Sequence, residues 1–301
     1  MKILITGAGG QLGYELQRSL AVVGEIVAVD RARCDLADPA SIRAALQAAR
    51  PDVVVNAAAY TAVDKAEQEP ALAARVNGDG PGVLAAEARA LRALVVHYST
   101  DYVFDGAQRA PYVETDATRP CNAYGRTKLA GEQAVRAAAD RHLILRTSWV
   151  YGAYGANFLK TMLRLMRERD ALSVVADQFG APTGAALIAD ATAHLVAQYA
   201  ACAGDGFAYG TYHLAAAGRT SWADYARLIG RLARDAGVAL KVPPEAIKPI
   251  GSDEYPLPAR RPAHSCLDTS KLRQTFGLAL PPWEQGVAQV VRLLAATMSK
   301  P

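Results

Sequence analysis

Tyr124 and Lys128 stand four positions apart in the run Tyr124-Gly125-Arg126-Thr127-Lys128, so on a helix they share one face. A phenol beside an ammonium suits the reduction of a ketone. That reaction needs a hydride at carbon, which a nicotinamide cofactor supplies, and a proton at oxygen, which Tyr124 would donate as general acid. A free phenol titrates near about 10. A Lys128 ammonium about 4 Å away would favour the phenolate by up to roughly 4 kcal/mol at an effective dielectric of about 20, drawing the tyrosine toward operating pH. Thr100, in the pair Ser99-Thr100 after an apolar run, would hydrogen-bond the carbonyl oxygen. A tyrosine packed on a sheet beside a surface lysine has the same spacing, so the pair takes its meaning from what lies upstream.

Upstream, Ile3-Leu4-Ile5 runs into Thr6-Gly7-Ala8-Gly9-Gly10-Gln11-Leu12-Gly13, with glycines spaced G-x-x-G-x-x-G. This is a variant of the dinucleotide fingerprint: one glycine for the tight turn, one for bare backbone against a diphosphate, one for close helix–strand packing. The helix N-terminus then offers free N–H groups and its positive dipole end to the diphosphate. A plain strand-to-helix turn is the alternative; the position between a strand and a helix favours the dinucleotide. Asp30 lies 23 residues beyond Gly7, where the fingerprint places an acid for the adenosine ribose. Arg31 and Arg33 follow at once, and an arginine there accepts a 2′-phosphate, so NADPH and NADH both stay open. Asp35 and Leu36 would flank the adenine, or form a simple turn.

The elements that must position these groups are legible as an alternation. Strands are expected at Lys2–Thr6, Glu25–Val29, Asp52–Asn56, Ala93–Tyr98 and His142–Arg146, with helices between, including one capped by Asp38 and one over Tyr124–Ala139. Continuous apolar strands separated by helices predict an α/β fold, a doubly wound parallel sheet of Rossmann type. The rhythm changes after Trp149, and the chain is expected to divide into a dinucleotide-binding domain, 1–148, and a smaller, mainly substrate-binding lobe, 149–301, parts of which pack back on the sheet. Pro70–Leu91 reads as mainly helical, and Lys241–Pro262, with six of the 16 prolines, as mostly irregular.

Composition excludes several classes. With 301 residues, 51% hydrophobic and 21% charged, the chain can bury a sizeable core, which argues against disorder. A net charge of +4 without a basic stripe suits an anionic small molecule rather than nucleic acid. No apolar run approaches the roughly 20 residues of a membrane span, and the N-terminus does not resemble a signal peptide. Cys34, Cys121, Cys202 and Cys266 are scattered, as a reduced, cytoplasmic thiol set would be. None of the five histidines clusters with acids or cysteines at metal-ligand spacing.

Longer stretches carry a family likeness. Thr6–Gly13, Asn56–Glu67, Tyr98–Gly106, Tyr124–Glu132, Arg146–Gly152, Asp177–Thr183 and Arg260–Pro262 together resemble the dTDP-4-dehydrorhamnose reductases, members of the extended short-chain dehydrogenase/reductases. The likeness covers nearly the whole chain. It implies reduction at C4 of dTDP-4-dehydro-L-rhamnose by NADPH or NADH, with Thr100, Tyr124 and Lys128 as the catalytic set. It also implies that Lys128 holds the nicotinamide ribose, that Gln11 and Leu12 join the glycines around the diphosphate, and that Ala57, Ala58, Ala59 and Thr61 line the cofactor groove. Tyr102, Trp149, Asn157, Gln178 and Arg261 are the implied substrate contacts. Some family members hold magnesium between subunits through glutamates, one of them in the first helix. Glu15 stands there, yet Ala186 and Arg292 occupy the stretches where partner acids would be sought. No metal is therefore expected, and a homodimer, if formed, lacks that bridge.

Two other functions fit much of the same pattern. A nucleotide-sugar epimerase or dehydratase shares the core but returns the hydride to its NAD. A non-catalytic regulatory subunit binds NADP without turning it over; the intact Thr100, Tyr124 and Lys128 weigh against it.

Overall fold

Strands such as Val53-Val54-Val55 and Leu94-Val95-Val96 have nothing polar to turn toward water, so both faces of the sheet they form need cover. The structure, a computed structural model, describes residues 1–298 and supplies that cover. In chain order the first half runs β1 (Lys2–Thr6), α1 (Gln11–Leu20), β2 (Glu25–Val29), α2 (Pro39–Ala49), β3 (Val53–Asn56), α3 (Val63–Gln68), α4 (Pro70–Ala74), α5 (Gly80–Ala90), β4 (Leu94–Thr100), α6 (Ala123–Ala138) and β5 (His142–Thr147). The second half runs β6 (Val150–Tyr151), α7 (Phe158–Glu168), β7 (Ser173–Val175), β8 (Phe179–Gly180), β9 (Thr183–Gly184), α8 (Ala185–Ala201), β10 (Gly210–His213), β11 (Thr220–Ser221), α9 (Trp222–Asp235), β12 (Lys248–Ile250), α10 (Ser270–Phe276) and α11 (Trp283–Met298).

Six strands form one parallel sheet in the order β2-β1-β3-β4-β5-β10. Alternate residues serve opposite layers. Ile3, Ile5, Val53 and Val55 pack with α1 and α8 on one face, while Leu4 and Val54 pack with α2 and α5 on the other. β10 and α8, both from the second half, thus complete the sheet and one of its covers. Helix α10 adds Leu272 and Phe276 to the layer shared with α1 and α8, whereas α7, α9 and α11 close around Tyr151, Tyr225 and Trp283 as a separate apolar cluster.

Three local features depart from expectation. The stretch 70–91 is interrupted by a π-helical turn, Arg75–Asp79, which ends with Gly80 N–H bonding the Arg75 carbonyl. Pro81 explains the widening: it has no N–H to give the carbonyl four residues back. The proline-rich stretch 241–262 contains β12, which pairs with β7, and two 3₁₀ turns at Pro244–Ala246 and Ser252–Glu254. Helices α3 and α10 come from stretches of six and seven residues, too short to show a helical period.

Helix α6 is seated by a buried charge. The Glu132 carboxylate is fully buried and accepts two 2.8 Å bonds from Arg146 on β5, one of 2.6 Å from Ser99 on β4 and one of 3.1 Å from Arg136. Burial works to raise its pKa, but the Arg146 hydrogen bonds prevail and hold it below the usual carboxylate value. Its contribution is therefore present at neutral pH and is lost as acid reaches that lowered pKa. Glu132→Ala would leave Arg146 as an uncompensated buried cation. The expected loss is about 3–5 kcal/mol, read as a lower urea midpoint at unchanged slope; a loss under about 1 kcal/mol, the scale of an exposed pair, would show that the cluster does not seat the helix.

Candidate active site

The chain leaves β1 for one side of the sheet and β3 for the other, so a crevice opens at the carboxyl ends of these strands, the usual ligand position in such folds. Gly7 closes β1 with φ +71°, and a Cβ there would lie 2.7 Å from Ala58 N. A Cβ on Gly13 would meet the Gly7 carbonyl oxygen. The turn, the start of α1 and the segment after β3 can pack this closely only without side chains at these two positions. Gly10 supplies no side-chain cap to α1, so the first-turn N–H groups remain available to an anion. Space beside Gly9 is open. An uncapped helix start behind a bare loop fits the diphosphate of a dinucleotide.

Around this cradle the expected cofactor residues take definite places. Gln11 and Leu12 open α1, half-buried; Ala57, Ala58 and Ala59 follow β3, half-buried, and Thr61 is exposed. Asp30, at the end of β2, accepts the Arg33 N–H at 3.2 Å. Arg31 pairs with Asp35 at 3.1 Å. Leu36 is only 4% exposed and packs in the core layer with Cys34 and Ile42, so its side chain supports the crevice from beneath.

Thr100 ends β4 and donates its hydroxyl to Asp101 Oδ1 at 3.0 Å, while Tyr124 lies in the first turn of α6, where Thr100 favours its phenolate form. Gly125 makes the approach: a Cβ there would strike the Tyr102 carbonyl oxygen. Asn122 caps the helix by accepting the Gly125 N–H at 2.8 Å. Tyr102 sits edge-on to Tyr124, with ring centroids 5.7 Å apart.

Lys128 corrects one expectation. Its ammonium donates to the Tyr98 carbonyl at 2.6 Å. Burial pushes its pKa down to about 8, against the attraction of Glu132. The phenol is not lowered toward neutrality; burial pushes Tyr124 up to about 12, with Thr100 favouring the phenolate and Asp101 opposing it. Tyr124 therefore holds its proton at neutral pH, as a donor must, and Lys128 remains mainly cationic there.

Asp101, next to Thr100, is 2% exposed. Its Oδ1 lies 3.0 Å from the Thr100 hydroxyl, and its Oδ2 is buried without a hydrogen-bond partner. Burial pushes it up to about 7, although Ser265, Thr100 and nearby N–H groups favour the ionised form.

The expected substrate residues are gathered less completely. Trp149, with φ +47°, stacks on Trp222 at 3.5 Å and 8°, so one face of its ring is already used. Asn157 caps α7 and donates to Gln11 Oε1 and the Gly152 carbonyl, both at 2.8 Å; its side chain is committed to joining α7 to the glycine loop. Nearby, Tyr154 stacks on Tyr14 of α1 at 4.4 Å. Gln178 spends its amide N–H on Ser252 at 2.9 Å. Arg261 is engaged by Asp64 through two bonds of 2.9 and 2.7 Å, so a phosphate would have to compete with a carboxylate. Glu15 pairs with Arg18, which also reaches Asp190; among the described residues no cluster of three or more His, Cys, Asp or Glu is placed to hold a metal. Asp64, Asp101, Glu132 and Trp222 were not singled out from sequence. Only Glu132 carried a readable signal, since it continues the four-residue spacing of Tyr124 and Lys128.

Comparison with known proteins follows the same lines. Residues 1–296 match the family described as the RmlD substrate binding domain. The chain is similar to the dTDP-4-dehydrorhamnose reductase of Burkholderia thailandensis, 51% identical with 97% of this chain and 98% of that one covered. It is likewise similar to the enzyme of the same name from Escherichia coli K12, 48% identical over 99% of each chain. Among solved structures it resembles dTDP-4-dehydrorhamnose reductase from Bacillus anthracis in complex with NADP, with a TM-score of 0.87, 36% identity, and 96% of this chain and 98% of that one covered.

The contact between Gly125 and Tyr102 generates a test. Gly125→Ala forces α6 off the turn that carries Thr100 and Tyr102. The expected cost is about 1–3 kcal/mol of stability, measured by chemical denaturation; unchanged stability would show that α6 does not depend on this approach.

Proposed function

This chain belongs to the family of the dTDP-4-dehydrorhamnose reductases, and from that premise we propose that it reduces the C4 ketone of dTDP-4-dehydro-L-rhamnose to dTDP-L-rhamnose with NADPH or NADH. The observation that carries the reading is the placing of Thr100, at the end of β4, and Tyr124, in the first turn of α6 against Tyr102, at the carboxyl edge of a sheet whose first loop is an uncapped glycine cradle.

The cofactor, when bound, supplies hydride to the carbonyl carbon. Gly7, Gly10, Gln11, Leu12 and Gly13 would hold its diphosphate, with Ala57, Ala58, Ala59 and Thr61 along the groove and Asp30, Arg31, Asp35 and Leu36 toward the adenosine end. Hydride arrival leaves an alkoxide on the sugar, which is more basic than a phenolate. Proton transfer from Tyr124 to that oxygen is therefore downhill even from a phenol held at about 12. The Thr100 hydroxyl hydrogen-bonds the same oxygen and keeps it beside the phenol. Lys128 has one N–H committed to Tyr98 and two left for ribose hydroxyls, and its charge favours the phenolate that remains. Tyr102, Trp149, Asn157, Gln178 and Arg261 are the proposed border of the nucleotide-sugar site, with Asn157 acting through the loop it holds.

Among the described residues no helix is long and apolar enough to cross a membrane. A cytoplasmic enzyme, free of nucleic acid and metal and able to form a homodimer, completes the proposal.

The test is spectrophotometric. With a 4-keto dTDP-sugar, nicotinamide absorbance at the reduced band should fall in proportion to product; turnover without net cofactor oxidation would replace the reductase reading with an epimerase. Tyr124→Phe should lower kcat/KM about 100- to 10,000-fold while cofactor affinity, read by fluorescence titration, holds. Near wild-type turnover in that variant would remove Tyr124 as the acid.

A further inference from the structure

We infer, on the reading of this chain as a ketone reductase, that Asp101 serves as a buried carboxylic acid whose proton turns the Thr100 hydroxyl toward the reacting oxygen. Asp101 is then a positioning residue, acting through Thr100.

Thr100 has a single hydroxyl hydrogen and two acceptor positions. One acceptor position is taken by the Tyr102 N–H at 3.1 Å, and Asp101 Oδ1 lies 3.0 Å away. If Asp101 is ionised it can only accept, so it captures the hydrogen and Thr100 has none to offer a ligand. If Asp101 carries a proton, it donates to the second acceptor position. The Thr100 hydrogen is then left to point at the Tyr124 oxygen and at a carbonyl placed between them. One proton on Asp101 thus decides whether Thr100 is a donor or an acceptor at the site.

The surroundings favour the acid. Asp101 Oδ2 is enclosed and has no hydrogen-bond partner, a costly state for a carboxylate oxygen and a mild one for a neutral carboxyl. The hydroxyl of Ser265, which approaches from the loop before α10, is directed to the Phe179 carbonyl at 3.4 Å. The groups facing Asp101 are Thr100 on β4, Tyr102 on its own turn, Tyr124 on α6, and Ser265 with Cys266 on that loop. Of the nearby cations, Arg261 is taken by Asp64 and Arg219 acts on Cys266. No ion pair reaches Asp101 among the described residues. Burial accordingly holds its titration near about 7. The donor orientation is present below that pH and is lost as pH rises through it.

The pH profile of kcat/KM reads this directly, since it reports groups of the free enzyme. Wild type should lose about tenfold per pH unit above roughly pH 7. Tyr124, held at about 12, cannot produce that limb. In Asp101→Asn the amide N–H donates to Thr100 at every pH, so the limb near 7 should vanish, with kcat/KM varying less than about twofold from pH 6 to 7.5 and falling only as Lys128, held at about 8, loses its charge. A limb still centred near 7 in the Asn variant overturns the inference. The carboxyl carbon of Asp101, followed by ¹³C NMR in wild-type protein, provides a measurement independent of that variant's folding. Titration near pH 7 supports the inference, and ionisation below about pH 5, the ordinary range for an aspartate, overturns it. Absence of cofactor oxidation with every 4-keto sugar tested would instead sink the reductase reading, and the NMR titration would still report the state of Asp101.

Discussion

The position of the phenol depends on a carboxylate two turns further along the same helix. Glu132 is the anchor of α6. A charge so deeply buried is tolerable only if it is fully paired, and the partners come from two adjacent strands, Ser99 of β4 and Arg146 of β5. These partners allow α6 one rotation and one height on the sheet. With Glu132 fixed, Lys128 one turn earlier meets the Tyr98 carbonyl, and Tyr124 another turn earlier meets the end of β4. The chemistry at the carboxyl edge is thus set by electrostatics inside the layer beneath it.

A second polar line fixes the sheet itself. Thr6 donates to Asn56 at 2.6 Å, and Asn56 bonds His97 Nδ1 at 3.0 Å, so β1, β3 and β4 are tied side to side near their carboxyl ends. Burial and the nearby Lys128 charge hold His97 well below its ordinary pKa, so it stays neutral and accepts from the Asn56 amide. The polar residues appear where the strands end and the crevice begins, so the same residues that register the strands also shape the ligand edge.

Much of this was legible in the sequence, for local reasons. The four-residue spacing of Tyr124 and Lys128 needs only a helix to bring them to one face, and Gly7 and Gly13 are required by the backbone itself. Asp38 followed by Pro39 marks the start of α2 because capping chemistry is local, and Asp38 does accept the Ala40 N–H. What stayed hidden depends on distant partners. Lys128 turns to a carbonyl 30 residues away, and Arg261 to a carboxylate 197 residues away. Trp149 finds its stacking partner on α9. No spacing in the chain announces such meetings. The orphan oxygen of Asp101 was invisible for the same reason: a missing partner is a property of the packed interior.

The bond from Asn157 to Gln11 joins the cap of α7 to the loop that opens α1, and the stacked rings of Tyr14 and Tyr154 reinforce the joint. Any tilt of α7 against α1 must carry the glycine loop with it or break this rivet. The helix cap and the glycine loop therefore share one mechanical joint, and a change of state on either side of it shifts the other by the same free energy, because such coupling runs in both directions.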